Sequence, residues 1–152
     1  MNNYTIDEVL PHKKPMILID TLFNYDAESA HCQVNITENS PFYDHHKNGV
    51  PSYIGCEYMA QTIAAFAGAH ALDKNKEVSI GFLLGTRKYK TLQHYFPLNE
   101  QLNINIKELY KEDSGLSVFE CEISSSNKAL FAQANINVFQ PQDARAFIKD
   151  NS

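Results

Sequence analysis

SYIGCEYMAQTIAAFAGAHAL, residues 52–72, is the stretch that decides the fold. Its apolar residues do not keep to one stripe: Tyr53, Met59, Ile63, Ala65 and Phe66 point all round a helix. A helix without a polar face is enclosed by its own protein. Twenty residues of helix span about 30 Å, the width of a small sheet. Gln61, Thr62 and His70 interrupt the run, and it is too short and too Ala-rich to read as a membrane span.

Outward from that helix the chain reads as strands. Upstream, Thr5 is placed to cap a short helix over Ile6–Leu10 that Pro11 stops. The solid apolar run Met16–Ile19 predicts the start of a buried strand. Ala30–Thr37 alternates, with Cys32, Val34 and Ile36 on one face and His31, Gln33 and Asn35 on the other. Pro41–Pro51 reads as loop, with Asn48-Gly49 as a turn signal. Downstream, strands are predicted over Ser79–Tyr89, Gln101–Glu108, Leu116–Ser124 and Leu130–Phe139, joined as an antiparallel meander. Pro141–Lys149 is expected to form a short terminal helix. The result is an α+β arrangement, one buried helix wrapped by a curved antiparallel sheet, in a single domain over residues 1–152.

Composition narrows the function. A net charge of −5 over 152 residues is a poor footprint for nucleic acid, so an acidic partner has to be met by a local basic patch. Three cysteines, Cys32, Cys56 and Cys121, are odd in number and far apart, which points to buried thiols rather than disulfides or zinc. No HxH or HxxxH pair supports a metal site. The opening MNNYTIDEVLPHKK lacks the pattern of a signal peptide, and a cytoplasmic protein is expected.

Within the apolar helix one residue stands out. Glu57 is the only acid between Asp44 and Asp73. A carboxylate there either favours the helix dipole and faces water, or is held among apolar groups with a raised pKa and serves as a general acid. Just before it, Ser52 either caps the helix or lends its backbone N–H to polarise a carbonyl. Upstream, His45 and His46 in PFYDHHKNG are candidate bases, or merely solvated loop residues.

Three segments together resemble the hotdog-fold 3-hydroxyacyl-carrier-protein dehydratases of fatty-acid biosynthesis. LPHKKPMILID (Leu10–Asp20) is similar to the family's opening LPHxxPxLLVD. NSPFYDHH with PSYIGCEYMAQ (Asn39–Gln61) is similar to its proline-aromatic loop and the head of its central helix. GFLLGTRKYK (Gly81–Lys90) stands where the family has a strand ending in a basic-aromatic pair. The resemblance runs in order from Leu10 to Phe139, and the wording of GVPSYIGCEYMAQ and GFLLGTRKYK most resembles the smaller dehydratase-like subunits of aryl-polyene pathways.

The resemblance implies a hotdog fold and a site at a subunit interface, where a histidine of one subunit meets a carboxylate on the other's central helix. It implies Glu57 as the general acid, His46 as the base with His45 as its substitute, and the Ser52 N–H at the thioester carbonyl. The family's glycine before the histidine is His45 here, its Phe-Pro after it is Lys47-Asn48, and the loop to Glu57 is shorter. The implied reaction removes water from a 3-hydroxyacyl thioester, with no metal or cofactor. The implied partners are an acidic acyl carrier protein, bearing the substrate on its phosphopantetheine arm, and a second hotdog subunit, identical or paralogous. Arg87, Lys88 and Lys90, with Lys13-Lys14, are the basic candidates for the carrier. An incomplete partner subunit and a thioesterase on the same fold are the alternative readings.

Overall fold

A computed structural model describes residues 4–12, 14–78 and 82–139, with the side chains at 82–84 and 87 outside that description. Its centre is the apolar stretch. Ser52–Ile54 form one 3-10 turn, and the helix α2 runs from Gly55 to Asp73. It is preceded by the short helix α1 (Ile6–Val9), strands β1 (Thr21–Tyr25) and β2 (Ser29–Asn35), and the three-residue β3 (Gly49–Pro51). After it come β4 (Phe82–Thr91), β5 (Tyr95–Pro97), β6 (Gln101–Lys111), β7 (Leu116–Ser124) and β8 (Leu130–Phe139).

Six strands form one antiparallel sheet in the order β1-β2-β6-β7-β8-β4, and β3 pairs with β5 apart from it. The alternation expected for β2 and β6 is present. Cys32 lies opposite Ile104 and Val34 opposite Leu102, and all four are buried. His31 and Gln33 lie on the other face, where both meet the amide oxygen of Asn103. Phe119, Cys121 and Ile123 of β7 and, opposite them, Ile136, Ala134 and Ala132 of β8 extend the same inner face. Alternating residues thus put one apolar surface against α2. Burial pushes the Cys32 thiol up to about 12 and raises that of Cys121 as well, as suits inert core cysteines.

Four expectations need correction. First, Met16–Ile19 is no strand; β1 begins only at Thr21. The Gln61 side chain of α2 accepts the Leu18 N–H and donates to the Met16 carbonyl, both at 2.8 Å, so a side-chain amide stands in for a neighbouring strand. Second, the meander holds for β6, β7 and β8 but not for β4, which crosses to pair with β8 at the far edge. Third, the loop Pro41–Pro51 ends in β3, whose partner β5 was not foreseen. Val50 and Phe96 are opposite one another and fully buried, so this small pair closes one end of the core. Fourth, α1 ends at Val9 with Leu10 as its C-cap; its N-cap is Thr5, as expected, in a capping box whose Glu8 carboxylate accepts the Thr5 N–H at 2.8 Å. The expected terminal helix lies outside the described residues, as do residues 79–81 of the strand expected over Ser79–Tyr89, the rest of which falls in β4.

α2 is enclosed on most sides, but not all. Tyr58, Met59, Thr62, Ala65 and Ala69 are buried against the sheet and α1. Val9 packs so closely that a Cβ on Gly68 would stand 1.8 Å from its carbonyl oxygen, so only glycine fits there. Cys56, Glu57, Ala60, Ala64, Ala67 and Ala71 remain half-buried. Their spacing makes one stripe along the helix, the side that the sheet does not wrap.

Candidate active site

The start of α2 is held from two directions. Gly55 lets the Tyr89 hydroxyl approach, since a Cβ there would lie 2.2 Å from it. That hydroxyl donates to the Ser52 carbonyl, and burial raises its pKa. Tyr89 turns inward beside a bulge in β4, where the register slips between Arg87 and Lys90 and Lys88 takes a φ of 55°. The Ser52 N–H donates to the His94 carbonyl at 2.8 Å. The expected oxyanion donor is thus engaged within its own chain, and no side-chain cap closes the helix.

Glu57 is half-buried on the first turn of α2. Its Oε1 accepts a hydrogen bond from Gln61 Nε2 at 3.2 Å. Four residues apart, the two side chains share one helix face. Gln61 itself is 1% exposed. Among the described residues no histidine ring is bonded to Glu57.

His45 and His46 are exposed on a turn that the Asp44–Gly49 bridge closes. The Asp44 carboxylate accepts the N–H groups of His46 and Lys47 at 2.8 and 3.1 Å, fixing the turn. The two rings are treated differently. His45 packs edge-on against Tyr43, with centroids 4.9 Å apart, whereas His46 projects outward. Glu57 and the histidines are therefore both on the surface of one chain without meeting inside it.

An open depression of about 730 Å³ lies at the helix start, lined by Lys47, Ser52, Tyr53, Tyr89, His94 and Tyr95. A second, of about 690 Å³, lies at the other end of α2 beside Phe66, His70, Lys74 and Phe119. Lys88 and Lys90 are exposed on β4, and the Arg87 side chain lies outside the described residues. The two lysines share a shallow hollow with Glu120 and Glu122, so their charge is partly answered on the same face. No group of three His, Cys, Asp or Glu side chains converges among the described residues. No described helix is long and apolar enough to cross a membrane.

Gln61, Tyr89 and His94 were not singled out from the sequence. The four-residue spacing of Glu57 and Gln61 was a usable signal. The other two depend on β4 and the loop after it folding over the helix start.

Residues 4–149 match the family model described as ApeP-like, ApeP dehydratase. A 3-hydroxyacyl-[acyl-carrier-protein] dehydratase FabZ of Shewanella woodyi is 30% identical over 130 residues, covering 81% of this chain and 84% of that one. The FabZ of Chlamydia trachomatis is 33% identical over 97 residues, and the match spans 63% of its length. Among solved structures, the dehydratase heterocomplex ApeI:P from Xenorhabdus doucetiae superposes with a TM-score of 0.88 at 27% identity, covering 99% of this chain and 100% of that one. A hypothetical thioesterase of Streptococcus pneumoniae with coenzyme A superposes at 0.64 with 10% identity, over 81% and 87% of the two chains, a likeness of fold alone. The architecture is the hotdog fold, and the chain belongs to the ApeP-like dehydratase family.

Proposed function

We propose that this chain is the Glu57-bearing subunit of a 3-hydroxyacyl-[acyl-carrier-protein] dehydratase whose base comes from another subunit. One observation carries the reading: Glu57 keeps one carboxyl oxygen engaged by Gln61 while, among the described residues of its own chain, no histidine is bonded to it. General acid-base elimination needs both groups at hydrogen-bond reach of one substrate. The imidazole takes the C2 proton, and the C2–H electron pair becomes the C2=C3 bond. The C3–O bond breaks, and Glu57 gives its proton to the departing hydroxyl, which leaves as water. The positive end of the α2 dipole faces the developing enolate oxygen. For the Ser52 N–H to add to it, the His94 carbonyl has to give way.

A heteromeric site is the form we favour, on the likeness to the ApeI:P heterocomplex. In that form Glu57 meets the histidine of a paralogous hotdog subunit, and His46 is dispensable. In a homomer, His46 of a second copy is the base. The loop departures at His45, Lys47 and Asn48 support the first form. An aryl-polyene intermediate on the carrier is the substrate we assign, on the wording of the sequence segments. Purified chain, alone and mixed with the paralogous subunit, is to be given a carrier-bound 3-hydroxyacyl thioester. The heteromer predicts an enoyl product only in the mixture, unchanged by His46→Ala and abolished by Glu57→Gln. Full turnover by the chain alone, lost on His46→Ala, selects the homomer. Turnover by Glu57→Gln in either setting overturns the proposal, and release of free thiol with no enoyl product selects a thioesterase.

A further inference from the structure

Gln61 is a buried amide, and the direction of each of its three hydrogen bonds can be worked out. A backbone N–H only donates and a carbonyl only accepts. The Leu18 N–H therefore identifies the amide oxygen, and the Met16 carbonyl identifies the amide nitrogen, each at 2.8 Å. No flip of the amide satisfies both backbone groups the other way round. The NH₂ group consequently faces Glu57 and donates to its Oε1 at 3.2 Å. With Gln61 buried at 1% exposure, the side chain cannot turn to water instead.

From this geometry we infer that Gln61 is a positioning residue that assigns the two oxygens of Glu57 different tasks. Oε1 is kept as an acceptor, and Oε2 is the oxygen that carries and delivers the proton. The segment 16–18 is part of the device, because its two backbone bonds hold the amide at its angle. The opening segment of the chain thereby sets the aim of the acid on α2. This rests on the proposed role of Glu57 and adds to it the orientation of the group. Misaiming a reacting group by about 1 Å costs up to about a hundred-fold in rate.

The test uses the active assembly and two substitutions. Gln61→Glu keeps the shape and the acceptor for the Leu18 N–H, but when ionised it has no hydrogen to give Glu57. At about pH 8 it is expected to lower kcat about ten-fold or more with KM within about two-fold. Toward about pH 5 part of the loss returns, because the introduced carboxyl regains a donor as it protonates. Gln61→Met loses activity at every pH. A purely structural role predicts instead a loss that tracks Tm and does not recover with acid. Wild-type kcat in folded Gln61→Glu at about pH 8, beside an inactive Glu57→Gln control, overturns the inference and leaves the role of Glu57 standing. Activity in Glu57→Gln overturns the parent reading. A second readout needs no turnover: the carboxyl ¹³C resonance of Glu57 is expected to move in Gln61→Met. If only the Leu18 amide moves, Gln61 is a backbone clamp and nothing more.

Discussion

The two ends of α2 carry the same kinds of group and treat them in opposite ways. At the C-terminal end, both oxygens of Asp73 are taken, one by the Tyr4 hydroxyl at 2.6 Å and the other by Tyr25 at 2.7 Å. Those bonds hold the Asp73 carboxyl below its ordinary range. His70 donates from Nε2 to the Asp26 carbonyl at 2.8 Å, and its ring stands edge-on to Phe66 and Tyr25. At the N-terminal end, Glu57 has one oxygen engaged and, among the described residues, one available, and the two loop histidines wait on an exposed turn. A carboxylate with both oxygens bonded within its own chain is a fastening. A carboxylate with one oxygen fixed and the other free is equipped to act on something outside the chain.

The largest expected effect breaks the active end alone. Glu57→Gln is expected to lower kcat by about 10³-fold or more in the active assembly, with Tm nearly unchanged, because the amide keeps the shape and a general acid supplies about 10²–10⁴. A melting curve beside the kinetics checks both halves. Next comes Tyr25→Phe at the fastening end, expected to lower Tm by a few degrees and leave kcat alone. Burial, then the Asp73 bond, raises the Tyr25 hydroxyl from 10.0 to about 12. Its folded form keeps the proton longer than the unfolded chain does. The stability it contributes is complete below about pH 10 and is lost as the pH rises toward about 12. Denaturation across that window is expected to show a steeper alkaline loss in wild type than in Tyr25→Phe.

Asp73→Asn probes the same end from the acid side. Its folded carboxyl titrates lower than the unfolded one, so its contribution is present above the unfolded value of about 4 and disappears as the pH falls through the folded one. The variant is expected to show a shallower acid limb in its stability curve, again with unchanged turnover. Smallest is the carrier effect. Lys88→Ala with Lys90→Ala is expected to raise KM for a carrier-bound substrate about three-fold at low salt, with the difference fading as salt is added. A pantetheine-linked substrate without the carrier is expected to be indifferent to the change.

Local pattern carried much of this molecule. The featureless apolar helix and the alternation at Cys32/Val34 and Leu102/Ile104 were legible because burial repeats at helical or strand spacing. Glu57 was legible because it is the only acid between Asp44 and Asp73. What stayed hidden depends on distant segments meeting. β3 and β5 are three residues each and hold only as a pair. The run at Met16–Ile19 has the composition of a strand, yet its backbone partner is a side chain 43 residues away. Tyr89 looks like any residue between two lysines until the bulge turns it onto Ser52. The distinction between Glu57 and Asp73 is of the same kind, since Tyr4 and Tyr25 reach Asp73 across 69 and 48 residues.

The central claim is that Glu57 completes its acid-base pair with a histidine from another subunit. A crystal structure of the active assembly tests it most directly, through the distance from Glu57 Oε2 to the nearest imidazole nitrogen. The account predicts an imidazole of the neighbouring subunit on the Oε2 side, close enough for one substrate hydroxyl or water to bridge. Glu57 packed at the interface with no neighbouring histidine within that reach contradicts it.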